Sequence, residues 1–169
     1  MVTRSSRLAA LLAIVTAAVV GCRQGQESPV ELPTVRLAVV AGAEHGGRPY
    51  STPMRQEVTT TPAWQGDVDG TGQALITVNI GQREICWETS ASNITLPAAA
   101  SHIHKADPGI RGPIVVPLSP PGAGGTASGC ASGLDPALVK DILTNPAGYY
   151  VNIHTSDFPA GAVRGQLAN

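Results

Sequence analysis

The sequence predicts a mainly β domain, a Greek-key sandwich or barrel, with one short helix in its C-terminal third. Three observations point there. Several segments alternate apolar and polar residues with period two, the pattern of half-buried strands. Glycine (19) and proline (14) are plentiful while aromatic residues make up 4%, which suits many short strands joined by turns. One segment alone carries both a start and a stop signal for a helix.

Taken in order, residues 34–41 (TVRLAVVA) are β-branched and apolar and form the first expected strand. Residues 42–66 contain Gly46, Gly47, Pro49, Pro53 and Pro62 and read as a long loop holding at most a fragment of strand. Loops of that length in a compact domain are commonly functional. Residues 71–80 alternate cleanly, with Ala74, Ile76, Val78 and Ile80 on one side and Gln73, Thr77 and Asn79 on the other. A second strand covers 84–91, and Gly81-Gln82 between them suits a tight hairpin. Residues 98–105 are a third candidate, and 113–118 (PIVVPL) read as an edge strand because of their prolines. Residues 119–133 read as a Gly/Pro/Ser-rich loop holding Cys130. The helix is expected over 135–143: Asp135 as N-cap, Pro136 at the first position, an apolar stripe of Leu138, Val139, Ile142 and Leu143, and Asn145-Pro146 as the stop. Residues 149–155 and 162–167 close the domain as strands.

The N-terminus carries a different message. Residues 1–7 hold Arg4 and Arg7 and no acid, and 8–20 are apolar but for Thr16. That run is too short to span a bilayer and fits a signal-peptide core. It ends in Val19-Val20-Gly21-Cys22, which resembles the bacterial lipobox. The expectation is therefore a signal peptide over 1–21, a lipidated Cys22 as the mature N-terminus, a polar tether over 22–33 and a β domain over 34–169. Two or three acyl chains hold firmly where one binds marginally. The expected location is the cell envelope, lipid-anchored to a membrane and facing the periplasm or the exterior.

Losing Arg4 and Arg7 with residues 1–21 leaves nine of the 11 basic residues against 12 acidic ones, a formal charge of −3. That balance gives no electrostatic footprint for nucleic acid. With Cys22 lipidated, Cys86 and Cys130 remain as an even pair in an oxidising compartment. A bridge between them would close a loop of about 45 residues and contribute roughly 3–4 kcal/mol. Two buried free thiols, or one of them a nucleophile, are the competing readings; without a Cys-x-x-Cys, redox catalysis by thiols has little support.

The second half of the chain resembles a known family. Ser101-His102-Ile103-His104-Lys105-Ala106-Asp107-Pro108-Gly109 and Gly112-Pro113-Ile114-Val115 resemble the signature of the CHRD domain. So do the closing runs 145–155 (NPAGYYVNIHT) and 158–167 (FPAGAVRGQL). The resemblance covers residues 34–168. Family members open with a Gly-Ala-Gln-Glu-Val-Pro-Pro-like stretch that 42–47 (GAEHGG) matches only in part, so no ligand role carries over to that loop. The resemblance implies a β-sandwich module outside the cytoplasm and no catalytic activity.

The sharpest local feature is His102-x-His104. Residues two apart in a strand share a face, so both imidazoles stand side by side while Ile103 turns to the core. In 151–154 (VNIH), Val151 and Ile153 point one way and Asn152 and His154 the other. If the two strands pair, three histidines converge beneath the Gly/Pro-rich loops. Three nitrogen ligands with an open position suit copper or zinc. The arrangement is similar in outline to the copper ligands of copper-zinc superoxide dismutases, although ligands for a second metal are not apparent. Two other readings stay open: the imidazoles bond main-chain carbonyls and a carboxylate, Asp107 or Asp157, or they recognise a ligand directly. Arg164, on the polar face opposite Val163, either pairs with Asp107 or Asp157 or offers a cation to an anionic ligand.

The sequence has no Gly-x-Ser-x-Gly elbow, no phosphate-cradling Gly-rich loop and no His-Glu-x-x-His. The expected function is a non-catalytic, membrane-anchored binding module for copper, zinc or a protein partner. A copper-dependent periplasmic redox enzyme and a purely structural or adhesion protein of the envelope are the alternatives.

Overall fold

Period-two burial runs through the chain much as its alternation requires, in a computed structural model that describes residues 46–167. The expected signal peptide, Cys22, the tether and the strand over 34–41 lie outside the described residues. In chain order the strands are β1 (Arg48–Gln56), β2 (Val58–Thr60), β3 (Ala63–Gln65), β4 (Thr71–Asn79), β5 (Glu84–Ser92), β6 (Ala100–Lys105), β7 (Ile114–Leu118), β8 (Thr126–Ala131), β9 (Tyr149–His154) and β10 (Val163–Gln166). The helix α1 (Pro136–Thr144) lies between β8 and β9. Eight strands form one sheet in the order β7-β6-β9-β10-β1-β4-β5-β8, and β2 and β3 make a separate hairpin. The two edges, β7 and β8, approach each other, so the sheet nearly closes on itself. The fold is the mainly β sandwich or barrel expected, with β7 on an edge.

Two segments read as loops are strands. β1 falls within 42–66 and is a nine-residue central strand. Its prolines disguise it. Residues 48–54 pair with β4, but only Arg55 and Gln56 pair with β10, so most of one side carries no ladder and tolerates Pro49 and Pro53. Tyr50, Thr52 and Met54 point inward and are buried. β8 falls within 119–133, where small residues (TASGCA) hide the pattern. They are small for a reason: a Cβ at Gly129 would come within 2.7 Å of the Trp87 ring. Cys130 stands directly opposite Cys86 in the β5–β8 ladder, and the two are joined as a disulfide. The turn between β4 and β5 is also longer than two residues. Pairing ends at Asn79 and Glu84, Asn79 Oδ1 accepts the Gln82 N–H at 3.0 Å, and Ile80 leaves the strand for solvent.

In α1 the Asp135 side chain accepts the Ala137 N–H at 2.8 Å, capping the helix start, and Val139 and Ile142 are wholly buried against the core. Ile76, Ile85, Ile103, Val116, Val151 and Ile153 are equally inaccessible, each contributing about 1.5–3 kcal/mol by burial. Among the described residues no helix is long and apolar enough to cross a membrane.

Candidate metal centre

The site grows out of the β6–β9 ladder. These strands pair antiparallel with Ala100 opposite His154, His102 opposite Asn152, and His104 opposite Tyr150. Ile103, Val151 and Ile153 take the core face and are fully buried. His102, His104, Asn152 and His154 therefore share the other face, with His154 diagonal to His102. Ring centroids lie 5.4 Å apart for His102–His104, 5.1 Å for His102–His154 and 6.3 Å for His104–His154. One ligand atom from each lies within 4.8 Å of those of the other two. His102 Nδ1 stands 3.2 Å from His154 Nε2, within hydrogen-bond reach. Two donors on one tetrahedral ion at about 2.0–2.1 Å stand roughly 3.4 Å apart, so this spacing already suits a shared ion.

The loops over this face settle the tautomers. The Gly112 carbonyl lies 2.9 Å from His104 Nδ1, and the Pro159 carbonyl 3.0 Å from His154 Nδ1. A carbonyl only accepts, so both Nδ1 atoms carry hydrogen and both Nε2 atoms present lone pairs. His104 Nε2 is buried and has no hydrogen-bond partner. A bare buried acceptor is costly, and either a donor or a cation would satisfy it. This orphaned nitrogen is the point at which the residues present fit a metal.

Electrostatics favours neutral ligands. Burial, then the neighbouring His154 and His104, pushes His102 down to about 4. Burial likewise lowers His104, with the Gly112 carbonyl and the Asn152 side chain opposing it and Arg164 and Arg111 adding to it. Burial lowers His154 too, helped by His104 and Arg111. At neutral pH the cluster is three uncharged imidazoles.

A short hairpin holds both covering loops in place. Thr60 N–H donates to Gly109 O at 2.9 Å, Glu57 N–H to Ala162 O at 3.0 Å, and Trp64 Nε1–H to Gly161 O at 2.7 Å. So β2 and β3, within the segment read as loop, tie together the stretches that supply Gly112 and Pro159.

Arg164 is placed differently from either expectation. Its guanidinium donates to the main-chain carbonyls of Ile110 (2.7 Å) and Asp107 (2.9 Å) and to Gln166 Oε1 (3.0 Å), and lies 3.3 Å from the Tyr150 ring centroid. It reaches the Asp107 loop through backbone oxygens because that loop turns its carbonyls inward. His104 stacks on the same Tyr150 ring at 4.8 Å and 5°. Arg164 thus braces the loop that carries Gly112. Asp157 accepts hydrogen bonds from Thr95 and Ser156. Among the described residues neither the Asp107 nor the Asp157 carboxylate bonds an imidazole.

Two further residues belong to the site. Asn152, 1% exposed, sets Oδ1 3.1 Å from His154 Nε2 and Nδ2 3.1 Å from Glu57 Oε2. Alternation already places Asn152 on the histidine face. Glu57 is wholly buried, and nothing in 42–66 singled it out, since its role depends on β1 lying beside β10.

Searches of the curated proteins and of the solved structures found no match. The family model for the CHRD domain matches residues 50–167, a span that holds both site strands, both covering loops and the disulfide. The chain belongs to the CHRD domain family.

Proposed function

We propose that this domain binds one copper or zinc ion through His102, His104 and His154 and serves as a non-catalytic binding module tethered outside the cytoplasm. The observation that carries the reading is the buried, unpartnered Nε2 of His104, within reach of two other imidazole nitrogens. Uncharged imidazoles are the ligand form copper and zinc take. Mounting the ligands on adjacent strands and locking two Nδ1 atoms on carbonyls fixes them before any ion arrives. The Cys86–Cys130 bridge supports an oxidising compartment. The lipobox-like Val19-Val20-Gly21-Cys22 supports anchoring by a lipid on Cys22.

The test is a titration of copper and zinc into the soluble domain (residues 23–169) beside a His102→Ala/His104→Ala double variant. One equivalent bound at micromolar affinity or tighter, lost in a variant that stays folded, is the expected result. A wild type that binds neither metal, with a markedly destabilised variant, would assign the histidines to the fold instead.

A further inference from the structure

We infer that Asn152 Oδ1 is a fourth ligand to the three-imidazole site, and that the buried Glu57 carboxylate is the positioning group that turns this oxygen toward the ion. The inference rests on the metal reading above.

Asn152 has two chemically different ends, and its surroundings sort them. His154 Nε2 is a lone pair because its Nδ1 hydrogen goes to Pro159 O. Asn152 Oδ1 also only accepts, yet it sits 3.1 Å from that nitrogen. Neither atom can donate to the other, so the contact is repulsive unless a positive charge is shared between them. Two donors on one tetrahedral ion stand roughly 3.4 Å apart, close to the separation observed. Asn152 also stands directly opposite His102 in the ladder, which puts its amide beside a second proposed ligand.

Glu57 decides which end faces the ion. The amide offers Glu57 Oε2 its NH2 group, bonded at 3.1 Å, and presents Oδ1 to the imidazoles. The chain keeps this acid in place at a cost. Glu57 is wholly buried and its Oε1 has no hydrogen-bond partner, an arrangement with nothing to recommend it for stability alone. Its backbone is pinned on both sides, N–H to Ala162 O at 3.0 Å and C=O from Gly66 N–H at 2.7 Å. Gly161, at φ +127°, leaves room for the carboxylate, since a Cβ there would run into Glu57 Oε2. Burial raises the Glu57 pKa, with Asn152, Arg164 and Arg111 opposing that rise.

The experiment measures zinc affinity by competition and the Co(II) d–d spectrum for the full-length chain, with metal-free thermal melts alongside. It compares wild type, His104→Ala, Asn152→Ala and Glu57→Gln. His104→Ala should lose binding. Asn152→Ala should bind about 10- to 100-fold more weakly and shift the Co(II) bands. Glu57→Gln should weaken binding to a similar degree, because a glutamine can donate to Asn152 and reverse its amide. If Glu57→Gln does not fold, Asn152→Ala decides alone. An Asn152→Ala chain that binds as tightly as wild type or tighter, with unchanged Co(II) bands, would overturn the proposal while His104→Ala still upheld the metal reading. A wild type that binds no ion would overturn both.

Discussion

A buried imidazole whose Nδ1 is committed to a carbonyl has one nitrogen left, and in His104 that nitrogen meets no donor. The same accounting makes the residue-scale predictions. The three histidines are held below their ordinary range chiefly by burial, His102 at about 4. In the unfolded chain each titrates near ~6.5, so the unfolded state takes up protons first as pH falls. The metal-free domain should therefore lose stability as pH drops from about 6.5 toward 4, and keep it above that window, as thermal melts across that range will show. The sign would reverse had the imidazoles been paired with carboxylates. Gly161→Ala should destabilise by about 2–3 kcal/mol, measured by denaturant unfolding, since it combines a positive φ with the Glu57 carboxylate at its Cβ. The pattern of 101–105 and 151–154 makes the histidine trio legible in the sequence, because alternation alone assigns their faces. The orphaned nitrogen was not legible, since it depends on where Gly112 O arrives. Nor was Glu57, whose burial depends on contacts with residues about a hundred positions away.

At the scale of elements, the sequence speaks clearly where side chains alternate against a single core, as in β4, β6 and β9, and falls silent where other demands intervene. β1 changes partner along its length, and prolines fill the side that carries no ladder. β8 must fit beneath Trp87 and carry half of the disulfide, so small residues replace the alternating ones. The helix was legible because its cap and its stop are local. The cross-strand bridge between β5 and β8 should contribute roughly 3–4 kcal/mol, so reduction should lower the unfolding free energy by that amount in denaturant titrations with and without reductant. Ile103→Ala, emptying core directly behind the histidines, should cost about 2–5 kcal/mol in the same assay.

For the whole molecule, a nearly closed sheet offers one rigid face on which three imidazoles, an amide and two covering loops meet. The CHRD family model spans that architecture, and the proposed function adds an ion to it. An ion that binds only the folded state should stabilise it by about 2.7 kcal/mol at a free concentration 100 times its Kd, a rise in melting temperature that His104→Ala abolishes. If the lipid on Cys22 is the tether, Cys22→Ser should move the protein from the membrane fraction to the soluble one without changing metal affinity. The measurement that bears most directly on the central claim is anomalous diffraction at the zinc edge from crystals of the zinc-loaded domain. One peak about 2.0–2.1 Å from His102 Nδ1, His104 Nε2 and His154 Nε2 is the result predicted. Zinc-loaded crystals with no peak among those three nitrogens would contradict it.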